Sequence, residues 1–154
     1  ENSTGDIDRA LELYRDACEG GEPYACGHLG ALRMEGRLLT RDPTEAAHLF
    51  GRACTGGEPM ACLQLGLMYL DGNGVHTDPG RGVALLEQTC IAGAIDGCVA
   101  LGQTYALGQG VPRDLARASA LFQRACKDGS SAGCTALDHI DGGGTDAISD
   151  EHGR

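Results

Sequence analysis

The chain has 154 residues, 42% of them hydrophobic, with 4% aromatic residues and no Trp. Its formal net charge of -10 and its lack of a basic stripe argue against binding to a nucleic-acid backbone or to an anionic membrane surface. No run of about 18 apolar residues occurs, so no membrane-spanning helix is predicted. The chain opens Glu1-Asn2-Ser3 without a leader, as expected of a mature or trimmed chain, which is compatible with secretion.

The cysteines set a period. They fall at 18 and 26, 54 and 62, 90 and 98, 126 and 134, with a step of 8 inside each pair and 36 between pairs. A fixed period in this range marks a solenoid of stacked hairpins, whose core is a seam between neighbours. Seven residues between paired cysteines do not match zinc-ligand spacing, and nothing converges four ligands. A disulfide across each hairpin fits the interval: Cys18–Cys26, Cys54–Cys62, Cys90–Cys98 and Cys126–Cys134. The alternative is eight buried thiols acting as small hydrophobes. Disulfides imply a periplasmic or secreted location.

In chain order, residues 1–5 are expected to fray, 6–140 to form the solenoid, and 141–154 to be a flexible acidic tail. Asp6 is the expected cap of the first helix, which runs to about Cys18 with Asp8 in its first turn. Ala10, Leu13, Tyr14 and Ala17 form its apolar stripe. Glu19-Gly20-Gly21-Glu22 breaks the helix, and Pro23 suits the first turn of the next, which runs to about Met34 and stops at Gly36. The second repeat places Ala46, Leu49, Phe50 and Ala53 on its first helix and Ala61, Leu65, Gly66, Met68 and Tyr69 on its second. The third has Gly82, Leu85, Leu86 and Thr89, then Leu101, Gly102 and Tyr105. The fourth has Ala118, Leu121, Phe122 and Ala125, then Leu137. Gly30, Gly66 and Gly102 share one register inside helices, where Gly costs about 1 kcal/mol against Ala, so close approach of a neighbouring helix is predicted there. Asp138 and Asp141 replace seam residues, the mark of a C-terminal cap.

The residues Leu65-Gly66-x-x-Tyr69-x-x-Gly72-x-Gly74-Val75-x-x-Asp78 resemble the Sel-1-like repeat, a relative of the tetratricopeptide repeat. Leu101, Gly102, Tyr105, Gly108, Gly110, Val111 and Asp114 repeat the pattern, followed by Ala118, Phe122 and Ala125. Cys54, Cys90 and Cys126 stand where many members carry Ala, which resembles the cysteine-rich branch of the Helicobacter cysteine-rich proteins. The first repeat departs from the pattern with Arg33 for Tyr and Leu38 for the second loop Gly. The resemblance implies an all-α, right-handed α/α solenoid of four disulfide-stapled hairpins. It also implies a non-catalytic scaffold for a protein or peptide partner. The alternative by the same resemblance is a penicillin-binding protein or weak β-lactamase.

From Met60 to Leu70 only Gln64 is plainly polar, whereas the first helices are amphipathic, with Arg52, Arg117, Gln123 and Arg124 outside. The second helices are therefore expected on a concave wall, as in tetratricopeptide-like folds. Tyr24, Met60, Leu63, Leu67, Leu70, Asp96, Val99 and Gln103 are the candidate groove residues, with inter-repeat packing as the alternative for them. A monomer is expected, with Ile7 and Leu11 uncovered and open to end-to-end contact or an upstream repeat.

No catalytic, cofactor or metal residue is assigned. The histidines at 28, 48, 76, 139 and 152 share no spacing; His28 on the second helix is expected to be solvated, with a place facing the groove as the alternative. Gly129-Ser130-Ser131-Ala132-Gly133 matches G-x-S-x-G, but at a turn between helices and not between strand and helix. S-x-x-K and K-T-G are absent, and Lys127 is the lone lysine. Closing a loop of about nine residues by a disulfide stabilises by about 2.6 kcal/mol in the entropy model. Reduction is therefore expected to lower the melting temperature of the array, and an unchanged value in strong reductant would refute the role of the staples.

Overall fold

A computed structural model describes residues 3–146. Its eight helices, among the described residues, are α1 (Ser3–Glu19), α2 (Pro23–Glu35), α3 (Pro43–Thr55), α4 (Pro59–Asp71), α5 (Pro79–Ile91), α6 (Ile95–Leu107), α7 (Leu115–Lys127) and α8 (Ser131–Asp146). They form four antiparallel hairpins stacked as an all-α solenoid.

Each hairpin closes the same way. The first helix ends in a Schellman turn: Glu58 N–H donates to the Ala53 carbonyl (3.0 Å) and Gly57 N–H to that of Cys54 (3.0 Å). Gly57 sits at φ +94°, where a side chain is strained, and glycine recurs at the same place as Gly21, Gly93 and Gly129. The turn brings the paired cysteines to Cα separations of 4.5–4.7 Å, and all four disulfides form. Between hairpins, Asp42, Asp78 and Asp114 cap α3, α5 and α7, each accepting from the N–H three residues on, at 3.0–3.1 Å. Pro43 and Pro79 occupy the first turns they cap.

The hairpins stack mainly through α2 on α3, α4 on α5 and α6 on α7. At this seam the helical glycines have their function. A Cβ on Gly102 would lie 2.6 Å from the Phe122 ring, and one on Gly30 3.0 Å from Phe50. The middle seam is built from smaller residues at both positions. Leu86 replaces the phenylalanine, Gly82 faces the Gly66 carbonyl at 2.8 Å from its would-be Cβ, and Leu70 fills against Gly82. Ala46, Ala53, Leu86, Ala118 and Ala125 are fully buried along the seam.

The terminal helices differ from expectation. α1 starts at Ser3, so Asp6 lies in its first turn and is not its cap, and residues 3–5 are helical. Leu11 and Cys18 are its buried residues, while Ala10 is exposed, Leu13 is 61% exposed and Tyr14 and Ala17 are half-buried. The expected stripe occupies the register that α3, α5 and α7 press onto a preceding second helix. Among the described residues α1 has no such helix, so the stripe stays open and Leu11 is covered instead. Ile7 is exposed, as expected. At the other end α8 continues to Asp146, past the expected boundary at 140, with Asp138 and Asp141 exposed. Residues 1–2 of the expected frayed end and 147–154 of the expected tail lie outside the described residues.

The seam predicts opposite signs for two glycine replacements. Gly102→Ala should destabilise by about 1–3 kcal/mol, because the Phe122 ring has no room to move. Gly51→Ala, whose Cβ would meet nothing closer than Leu65 at 3.9 Å, should gain up to about 1 kcal/mol of helix propensity. Thermal denaturation of the oxidised variants checks both; equal shifts would refute the close-approach account.

Candidate binding surfaces

Stacking gives the solenoid two unlike faces. Among pairs of like helices, α4 and α6 meet most extensively. On the opposite face α3 and α5 stand apart, flanking a cleft of about 930 Å³ whose floor is Leu65 and Tyr69 of α4. In the middle of the array the second helices α4 and α6 thus meet while the first helices α3 and α5 stand apart.

The candidate groove residues lie on the second helices, and the structure leaves some of them accessible. Tyr24 is 65% and Met60 42% exposed, Asp96 and Gln103 are exposed, and Leu67 is half-buried. Leu63, Leu70 and Val99 are not available there. They are 6, 7 and 8% exposed and belong to the core of the third and fourth hairpins. The physical reason is enclosure on two flanks, since α4 packs against α5 and also against α6, which consumes the second apolar stripe. Between α2 and α4 lies a hollow of about 430 Å³ lined by Tyr24, Gly27, His28, Ala31, Met60 and Gln64, with Glu35 and Glu58 at its border. His28 is half-buried and not solvated as expected. Its ring stacks on Tyr14 at 4.5 Å between centroids and on Tyr24 at 6.1 Å. His28 and Gln64 follow Tyr24 and Met60 by four residues, a spacing that the helical periodicity carried but that the choice of apolar residues passed over.

The face of the first helices is polar and punctuated by arginines. Arg52 of α3 donates to the Cys18 carbonyl of α1 (2.7 Å), and Arg124 of α7 to that of Cys90 of α5 (3.5 Å). Gln88 occupies the same register on α5 and makes no such bond to Cys54. A second repeated pair lies beneath. Arg81 lies over the Tyr69 ring (5.1 Å) and Arg117 over Tyr105 (5.3 Å). The Tyr105 hydroxyl also accepts from Arg117 (3.1 Å), which raises the arginine's pKa from its ordinary value. In the first repeat the same two positions hold Arg33 and Glu45, joined at 2.7 Å, with Arg33 also donating to the Thr40 carbonyl. Arg33 therefore stands for the missing Tyr because its partner changed with it.

At the G-x-S-x-G match, Ser130, the residue before the motif serine Ser131, accepts through Oγ from Gly133 N–H (3.0 Å) at the start of α8. No metal-holding group of His, Cys, Asp or Glu occurs among the described residues, and no described helix is long and apolar enough to cross a membrane.

These features define a disulfide-stapled α/α solenoid. A model of the Sel1 repeat matches residues 3–22, 23–58, 59–93 and 95–130, and the chain belongs to the Sel1 repeat family. Solved structures agree. The protective antigen c5321 of uropathogenic Escherichia coli, with an SLR fold, is 30% identical with a TM-score of 0.81, over 87% of this chain and 29% of that one. A Sel1 repeat protein of Oxalobacter formigenes is 30% identical with a TM-score of 0.77, over 85% and 52%. Cysteine rich protein B of Helicobacter pylori is 26% identical with a TM-score of 0.63, over 84% and 93%. The chain thus spans less than two thirds of the first two relatives. No curated protein matches it. Sel1 repeats are generally non-catalytic protein-interaction scaffolds, and four disulfides suit an oxidising environment outside the cytoplasm.

The exchanged pair is testable by a double-mutant cycle. Glu45→Arg alone sets two guanidinium groups side by side, and Arg33→Tyr alone leaves a carboxylate beside a ring. Together they recreate the Tyr–Arg pair of the later repeats, so a favourable coupling of about 0.5–1 kcal/mol is expected in denaturant unfolding. Additive effects would refute the exchange.

Proposed function

We propose that this chain is a non-catalytic scaffold, acting in the periplasm or outside the cell, whose second-helix face is a concave groove for an extended or helical segment of a partner protein. The observation that carries this is the exposed row Tyr24 and Met60, continued by half-buried Leu67, on helices that otherwise bury their apolar surface. The closer meeting of α4 with α6 supports concavity on this side. Asp96 and Gln103 extend the row with polar groups able to pair with a peptide backbone or a basic side chain. A scaffold stapled at four hairpins loses little conformational entropy on binding, which favours affinity.

Selection of peptides displayed on phage against the oxidised protein tests this. Bound peptides should lose about tenfold in affinity for each of Tyr24→Ala and Met60→Ala, whose exposed side chains can be truncated without loss of fold. Peptides whose affinity is unchanged in both variants would refute the groove.

A further inference from the structure

The cleft between α3 and α5 is chemically unlike the rest of this chain. The sequence contains 22 acidic residues, yet none lines this cleft, while Arg52, Arg81 and His48 do. The corresponding cleft between α1 and α3 is smaller, about 240 Å³, and mixed in charge: Glu19 and Glu45 line it beside Arg15, Arg33 and Arg52. The wider opening has a local reason. Arg52 and Arg124 tie α3 to α1 and α7 to α5 through the Cys18 and Cys90 carbonyls. Gln88 at the same register leaves α5 untied to α3.

The charge is also uncommitted. Arg33 is held by Glu45, and Arg117 lies 3.5 Å from Asp114. Arg81 makes no ion pair among the described residues. Asp78 accepts its backbone N–H, and its guanidinium lies over Tyr69. That stacking orients the guanidinium while leaving its edge donors for another acceptor. Below it the floor is apolar, from Leu65, Val75 and Leu85.

We propose that this cleft is a second docking surface, on the face opposite the groove, for an acidic peptide segment of a partner protein. Arg81 receives a carboxylate, and an apolar side chain next to it enters between α3 and α5 onto Leu65 and Leu85. Charge complementarity selects the occupant: a basic or neutral segment gains nothing from Arg81 and Arg52, and an acidic one meets no opposing carboxylate in the lining.

The probe is a fluorescein-labelled peptide of three Asp-Glu-Leu repeats, titrated by anisotropy against the oxidised protein at about 50 mM salt, where screening is weak. Saturable binding is expected, at least about tenfold tighter than for three Asn-Gln-Leu repeats. Arg81→Glu should weaken it about tenfold or more. Gly51→Phe, which fills the cleft without changing charge, should do the same. Lys127→Glu, an equal charge reversal on α7 outside the cleft, should change it less than about twofold. Melting temperatures of the variants establish that each is folded, and Arg81→Gln replaces Arg81→Glu if that variant is not. No saturation up to about 1 mM, equal binding of the neutral peptide, retention of affinity in Arg81→Glu or Gly51→Phe, or an equal loss in Lys127→Glu would each overturn the proposal. Because neither Tyr24 nor Met60 enters this test, its outcome is independent of the groove on the other face.

Discussion

The distance between neighbouring hairpins is set by a contact at one register of the second helices. Gly30 lies against Phe50, Gly102 against Phe122, and Gly66 against Gly82 and Leu86. A β-carbon would clash at Gly102 and be tight at Gly30 and Gly66, so each second helix lies close on the next first helix. The disulfides and Schellman turns hold each hairpin's own two helices in line. With both spacings fixed, small residues fill the core of a chain that has no Trp.

Those two spacings generate the two faces. Packing of α4 against both α5 and α6 goes with the burial of Leu63, Leu70 and Val99, while Tyr24 and Met60 stay outside. Splayed first helices leave clefts, and single side chains decide how open each one is. An arginine reaching back to the previous cysteine carbonyl ties two of the gaps, and a glutamine leaves the middle one untied. The repeat is therefore uniform in backbone and individual in surface, as suits a scaffold that distinguishes partners by side chains on a fixed frame.

Deviations from the repeat follow a physical logic. Arg33 with Glu45 replaces Tyr with Arg as a unit, because one position supplies the acceptor for the other. Leu86 with Gly82 stands for Phe with Ala, both changes to a smaller residue, and Leu70 takes up space against Gly82.

Hairpin number, period and cysteine pairing were legible in the sequence, because each depends on neighbours within about ten residues or on a fixed interval, whereas Asp6, the expected cap of α1, lies inside that helix. Asp42, Asp78 and Asp114, the prolines after the first two and the turn glycines act locally. The close approach at Gly102 was also legible, since repetition at one register marks a shared constraint. Tertiary structure alone decided which apolar stripe was covered. Leu63 and Leu67 belong to one apolar stripe of α4, yet contact between α4 and α6 buries the first more deeply than the second. Ala10 and Leu13 have the pattern of a buried stripe, but burial needs a partner helix that α1 lacks among the described residues. The acid-free cleft beside Arg81 is likewise invisible to spacing, because it arises where α3 and α5 flank α4, and the stacking of His28 on Tyr14 depends on how α1 lies on α2.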